Sequence, residues 1–437
     1  MTNFDLLINN GIIVTVDTNQ TIINKGSVGV TDGKIVTIDT SENLKGTSAA
    51  KEIDADGGII MPGLINTHTH LPMSLFRGLA DDLELMTWLN DYMFKAEAKY
   101  INPENTRLGT QISCAEVLLS GTTTICDGYF HEDIVAEAVN ESGLKGVLGQ
   151  GIIDFPAPGV PDPSLKISNA VDYVSMIKTK YTKIRPSIFC HSPYTCSTET
   201  LIEAKKATDK AGVLFQIHVA ETKGEQLQIQ AEYGKTPIEY LYNSNILDEN
   251  TLLVHSVWVN EEDINLIVKS GASIAHCPES NMKLASGVAP VDTFLKAGIR
   301  TGIGTDGSAS NNNLDMFSEI DSAAKLHKVH NLDPAMADAA TILKMATIDG
   351  ANAIGLGSET GSLEAGKMAD IVILDINKPH LVPMYNPVSH IVYSATGADV
   401  KDVIINGEAV VRNRQILTMD VADILDRARL FATELSL

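Results

Sequence analysis

The chain has 437 residues, 44% of them hydrophobic and 20% charged, enough to bury a large core and too apolar for a disordered or fibrous protein. Its 33 basic and 55 acidic residues give a formal net charge of −22, and no stretch concentrates Lys and Arg, so the basic patch expected of a protein partnered by nucleic acid or an anionic membrane is missing. At about 150 residues per domain the length suggests roughly three units, although one α/β barrel alone holds about 200–250 residues. The five cysteines (Cys114, Cys126, Cys190, Cys196, Cys277) are odd in number and form no C-x-x-C pair. That argues against a disulfide framework and against a Cys-rich structural zinc site. The segment Met1–Asp5 has no basic stretch leading into an apolar one, and no run approaches about 18 apolar residues. The expectation is a soluble, cytoplasmic protein, with assembly into a homo-oligomer left open.

In chain order, residues 1–58 read as short strands. Phe4–Val16 mixes β-branched residues with an Asn-Gly turn signal, and Gly26–Ile38 reads as strand, Asp-Gly hairpin turn, strand. The same texture returns in residues 359–437, at Ala369–Asp375 and Val400–Val411, which predicts one small β-sandwich domain built from both ends of the chain. Asp420–Leu437 reads as a terminal amphipathic helix. Residues 59–358 alternate strand-length apolar runs with amphipathic helical stretches such as Pro103–Leu119, Ser197–Ala211 and Asn260–Val268. The runs are Ile59–Asn66, Thr123–Asp127, Gly146–Ile153, Ile184–Cys190, Val213–Ile217, Leu252–Val254, Ser273–Ala275 and Arg300–Gly304. Eight such units predict an α/β fold of the (β/α)8 barrel type. An open doubly wound sheet would more often carry a G-x-G-x-x-G loop after its first strand, and none is there.

Polar residues collect where those runs end. His68 and His70 follow the first run, His191 the fourth, His218 the fifth, His255 the sixth, His276 the seventh and Asp306 the eighth. In a barrel these are the C-terminal strand ends and look into one pocket. His-x-His on a strand puts both imidazoles on one face. By itself it also fits two polar residues at a strand end; with His218, His255 and Asp306 at equivalent ends it points to a metal site. Nitrogen and oxygen donors without thiolate suit zinc, with iron or manganese also chemically suitable.

The motifs Met61–His70, His218-Val-Ala-Glu221, His255 and Gly304-Thr-Asp306 resemble those of the amidohydrolase superfamily along essentially the whole chain. Leu85–Asn90 with Lys95-Ala-Glu97, His191–Ser197 and Thr305–Asn313 are similar to motifs of its 5-methylthioadenosine/S-adenosylhomocysteine deaminases. The resemblance implies a metal-bearing barrel with a small β domain and hydrolytic deamination of a 5′-modified adenosine, such as methylthioadenosine, S-adenosylhomocysteine or adenosine. Guanine or triazine hydrolysis on the same barrel is the alternative. Superfamily members with two metals commonly bridge them by a carboxylated lysine at a strand end. No marked strand ends in lysine, so one divalent metal, zinc first, is expected on His68, His70, His218 and Asp306.

The resemblance further implies Glu221 as proton donor to the purine ring, with His255 and Asp306 taking the proton of the attacking water. Glu97 and His191 would bind substrate, and Ser310 would be a weaker contact. A carboxylate at Glu97 also has a physical reason, since it accepts two hydrogen bonds from vicinal ribose hydroxyls. Met73, Phe76, Trp88 and Phe155 fit an apolar wall around the 5′-substituent and, equally, plain core. His276 reads as a hydrogen bonder in the pocket wall, and His131, His327, His330, His380 and His390 as surface or packing residues. Members that grip a homocysteine tail can use arginines after the third strand. Here Gln150 and Asp162 lie in that segment, and no arginine occurs between Arg107 and Arg185. The reading therefore leans towards methylthioadenosine or another 5′-modified adenosine, with Lys166 the substitute cation in that segment.

Overall fold

Period-two patterning and tight turns set the ends of the chain. The computed structural model describes residues 3–435; Met1, Thr2, Ser436 and Leu437, which begin and end the terminal segments read above, lie outside the described residues. Strands β1 (Asn3–Val14), β2 (Ile22–Thr31), β3 (Lys34–Thr40), β4 (Ser48–Asp54) and β5 (Ile59–Pro62) come first. The Asp32-Gly33 signal makes the two-residue turn between β2 and β3, both residues at positive φ. Asn10-Gly11 does not make a turn. It is an irregularity within the single strand β1, where Asn10 has φ 60° and a Cβ on Gly11 would lie 2.5 Å from Ile60.

The barrel follows: β6 (Leu64–Thr69), β7 (Thr122–Tyr129), β8 (Lys145–Ile152), β9 (Ile184–Cys190), β10 (Leu214–Val219), β11 (Thr251–His255), β12 (Ser273–His276) and β13 (Thr301–Ile303). All neighbouring pairs are parallel, in the order β13-β12-β11-β10-β9-β8-β7-β6. Parallel strands covered by helices are buried on both faces, and every residue of β7 and β8 is buried. The helices start on side-chain caps: Asn102 before Pro103–Leu119, Ser197 before Thr198–Ala211, and Asn260 in a capping box with Asp263 before Glu261–Ser270.

After the barrel come β14 (Ile371–Leu374), β15 (Val400–Ile405), β16 (Glu408–Arg412), β17 (Gln415–Ile416) and the helix Val421–Glu434. These strands join β1–β5 in one mixed sheet, ordered β17-β16-β15-β14-β5-β1-β2-β3 with β4 beside β1. The sheet has its own core, including Leu6, Ile8, Val28, Ile35, Ile371 and Ile404. The run Ile59–Asn66 thus divides between two sheets. β5 lies between β1 and β14, whereas β6 begins the barrel, and the chain crosses at Gly63, where a Cβ would lie 2.1 Å from Thr123 Oγ1. A buried ion pair, Lys145 Nζ to Asp370 Oδ2 at 2.9 Å, ties barrel to sheet. Asp370 also accepts from Thr360 Oγ1 and the Asn406 N–H, so the buried charge is hydrogen-bonded as well as paired. Among the described residues no helix is long and apolar enough to cross a membrane.

The first and last barrel strands meet through side chains. Asn66 Nδ2 donates to Thr305 Oγ1 at 2.7 Å, Asn66 Oδ1 accepts from the Thr305 N–H at 3.1 Å, and the Asp306 N–H donates to the His68 carbonyl at 3.0 Å. A Cβ at Gly304 would lie 2.7 Å from the His68 nitrogen, so the close approach needs glycine. Asn66→Leu should lower stability by about 2–4 kcal/mol, because it removes the acceptor of the buried Thr305 and His68 N–H groups and the donor to Thr305 Oγ1. The measurement is the urea midpoint, which should fall at constant slope. An unchanged midpoint would show that the seam closes without the amide.

Candidate active site and metal centre

Closing the barrel gathers His68 from β6, His70 from just beyond it, His218 from β10 and Asp306 from just beyond β13. Their ligand atoms all lie within 4.8 Å of one another and all four residues are buried. His68 Nε2 and His218 Nε2 approach to 3.0 Å, and Asp306 Oδ1 stands 3.4 Å from His68 Nε2 and 3.3 Å from His70 Nε2. His70 Nδ1 donates to the Gly128 carbonyl at 2.6 Å, which fixes the ring with its Nε2 towards Asp306. Burial lowers the pKa of His68 to about 4 and that of His218 well below the usual histidine range, so both rings are neutral. Two neutral imidazole nitrogens aimed at each other beside a carboxylate could hold a divalent cation, and three nitrogens with one oxygen suit zinc.

The backbone at these strand ends leaves the strand conformation. Ala220, His255 and Asp306 have φ of 53°, 74° and 61°, conformations costly for residues other than glycine and frequent at functional sites. Glu225, in the helix Lys223–Tyr233, holds the first of them in place: its carboxylate accepts from the Ala220 N–H at 2.8 Å and the Glu221 N–H at 2.9 Å. Glu221 is thereby turned into the cavity, where Ser286 Oγ donates to its Oε1 at 3.2 Å and His255 Nε2 lies 3.6 Å from its Oε2. Burial, aided by the charge of Asp306, raises the Glu221 pKa to about 8. For Asp306 burial acts in the same direction, but the hydrogen bond from His68 and the field of the surrounding imidazoles outweigh it and hold the group well below the usual carboxylate range. Asp306 Oδ2 also accepts from Ser280 Oγ at 2.7 Å and Ser310 Oγ at 2.8 Å.

The cavity has a volume of about 720 Å³, mouth included. Glu97, on the helix Phe94–Tyr100, lines it together with Trp88, His191, His218, Glu221 and Asp306. Glu97 is only 6% exposed; burial raises its pKa to about 7 despite a 2.6 Å hydrogen bond from the Tyr129 hydroxyl. His191 Nδ1 is 3.0 Å from Thr195 Oγ1, and burial lowers its pKa to about 3. Leu85, Trp88, Leu89, Met93, Phe94 and Leu284 supply an apolar wall.

Several sequence expectations are corrected. Met73 and Trp88 line the cavity, but Phe76 and Phe155 are not among its lining residues. Phe76 is packed in the core beneath, and Phe155 is 38% exposed, edge-on to Phe94 at 5.3 Å. His276 is not in the pocket wall; its Nε2 faces His327 Nε2 at 3.0 Å, both rings buried behind β12. Lys166 does not reach the cavity either, because its Nζ is held by Asp154 at 3.3 Å and by the Pro163 carbonyl at 3.2 Å. Tyr129, Glu225, Ser280, Asn281 and Ser286 were not anticipated. Asn281 Nδ2 donates to His255 Nδ1 at 3.0 Å. Tyr129 had the signal of being the last residue of a barrel strand; the others lie on helices or loops with no periodicity pointing at the site.

Comparison with known proteins agrees with this geometry. Residues 59–410 match the model of the amidohydrolase family. A 5-methylthioadenosine/S-adenosylhomocysteine deaminase of Syntrophobacter fumaroxidans is 41% identical, over 98% of this chain and 98% of that protein. A 5′-deoxyadenosine deaminase of Methanosphaera stadtmanae is 42% identical over 94% and 96%. The crystal structure of an adenosine deaminase from Xanthomonas campestris with bound zinc superposes with a TM-score of 0.96 at 34% identity, covering 99% and 98% of the two chains. A family match over most of the chain and two long relatives above 40% identity lead to one conclusion: this chain belongs to the amidohydrolase family.

Proposed function

We propose that the protein is a metal-dependent aminohydrolase that replaces the 6-amino group of a 5′-modified adenosine by oxygen, releasing ammonia and the inosine analogue. One observation carries the reading. Glu221, a carboxyl that burial keeps protonated at neutral pH, faces the same cavity as the four-ligand His/Asp cluster. The names of the relatives support it, as does Glu97 in the same cavity, a carboxylate suited to a ribose diol.

His68, His70, His218 and Asp306 would hold one divalent cation, zinc by their chemistry, which when bound supplies hydroxide at neutral pH by lowering the pKa of water to about 7. Glu221 donates its proton to the ring nitrogen beside the amino-bearing carbon and makes that carbon electrophilic. Asp306, with His255 beside it, accepts a proton from the attacking water and returns it to the departing amine. Glu221 regains its proton from the new hydroxyl as ammonia leaves, so the ring nitrogen of the product stays protonated. His191 and Trp88 position the nucleoside, and Ser310, together with Ser280, acts by orienting Asp306.

The wall formed by Leu85, Trp88, Leu89, Met93, Phe94 and Leu284 suits an apolar 5′-group, and among the described residues no Lys or Arg lines the cavity to pair a homocysteine carboxylate. Ammonia release should therefore give kcat/KM higher for methylthioadenosine and 5′-deoxyadenosine than for S-adenosylhomocysteine, by about tenfold or more. Equal values would remove the specificity claim, and no turnover of any adenosine would remove the function.

Glu221→Gln should keep the bound metal, measured by elemental analysis, and lose about 10²–10⁴ in kcat. Because the acid form of Glu221 is the active one and its pKa is raised, wild-type kcat/KM should fall as pH rises through about 8. A metal-loaded, fully active Glu221→Gln would exclude the residue as donor. Chelation should abolish turnover, and one equivalent of zinc per chain should restore it; a requirement for two would overturn the single-cation site.

A further inference from the structure

The Tyr129 hydroxyl donates to Glu97 Oε1 at 2.6 Å inside the cavity, and nothing in the chemistry above uses it. Tyr129 is the last residue of β7, 4% exposed, with its ring packed between Phe130 at 5.3 Å and His70 at 6.0 Å. The phenol therefore comes from the rigid barrel, while Glu97 comes from a short helix between β6 and β7.

We infer that Tyr129 is the positioning residue that makes Glu97 select a ribose diol, by pinning one carboxylate oxygen to the barrel and leaving the other to accept from the sugar hydroxyls. The inference rests on the reading of Glu97 as the ribose acceptor. The physical argument is solvation. Among the described residues no Lys or Arg lines the cavity, so the buried Glu97 carboxylate depends on hydrogen-bond donors to stay ionised. Burial already brings Glu97 to about 7, and the phenol is the side-chain donor that opposes this. With Tyr129 in place, a ribose offering two hydroxyls completes the shell, and a sugar lacking them leaves the charge under-solvated, the situation in which sites reject an analogue most strongly. Without the phenol, Glu97 takes up a proton, accepts less well from the diol, and no longer penalises a sugar that lacks it.

The test compares kcat and KM for 5′-methylthioadenosine and its 2′,3′-dideoxy analogue in wild type, Tyr129→Phe and Glu97→Gln. Tyr129→Phe keeps the ring packing, and its folding and metal content are checked by thermal unfolding and elemental analysis. It should raise KM for the riboside about tenfold or more, a change in one charged hydrogen bond, with kcat within about threefold. The riboside-to-dideoxy ratio of kcat/KM should shrink by a similar factor. An unchanged ratio, or a loss confined to kcat, overturns the inference. Glu97→Gln separates the two levels. If it collapses the ratio while Tyr129→Phe does not, the role of Tyr129 fails and the ribose reading stands. If Glu97→Gln leaves the ratio unchanged, the ribose reading itself fails.

Discussion

The cavity depends on the way the first barrel strand meets the last. Asn66 and Thr305 are 239 positions apart, yet one buried amide supplies a donor and an acceptor to the same threonine. Closing so long a loop is entropically unfavourable, and it is offset by the cooperative pairing of eight strands rather than by any local preference. The Asp306 N–H to His68 carbonyl bond lies in the same seam, so closing the barrel and gathering the His/Asp cluster are one event. Gly304 has no side chain because a Cβ there would strike the His68 backbone.

Removal of water then sorts the ionisable groups by their chemistry. One physical cause, burial, makes His68, His191 and His255 weaker bases, with pKa values of about 4, 3 and 4, and makes Glu97 and Glu221 weaker acids, at about 7 and 8. Asp306 escapes the trend because the hydrogen bond from His68 and the field of the surrounding imidazoles outweigh burial; the Gly307 N–H at 2.7 Å and the Ser280 and Ser310 hydroxyls donate to it as well. A carboxylate among donors and a buried carboxylic acid beside another negative charge can thus lie in one cavity with opposite protonation, as acid–base chemistry at neutral pH requires.

The turn after β10 shows how backbone geometry serves this sorting. Ala220 adopts a left-handed conformation between His218 and Glu221, and the Glu225 carboxylate binds the N–H groups on both sides of the kink. The result is that residues three apart in sequence both line the cavity, His218 in the His/Asp cluster and Glu221 beside Ser286 and His255.

Much of this was legible in the amino-acid sequence. Apolar runs of strand length alternating with amphipathic stretches are a consequence of burying parallel strands under helices, so the barrel could be read from patterning. His68, His70, His218, His255 and Asp306 were legible because a side chain at the end of a strand has its direction set by that strand. The division of Ile59–Asn66 between two sheets was not legible, because both halves are equally apolar and only Gly63 marks the crossing. Nor were Tyr129, Ser280, Asn281 and Ser286, or the turning of His276 towards His327 and of Lys166 towards Asp154. These are contacts between elements far apart in the chain, and no local periodicity encodes them. The chain by itself therefore determined which elements form and which residue types stand at their ends, both local consequences of burial. The partner of each polar group, and with it the protonation state of each carboxyl in the cavity, was decided only by tertiary packing, because desolvation and hydrogen bonding depend on what surrounds a group in space.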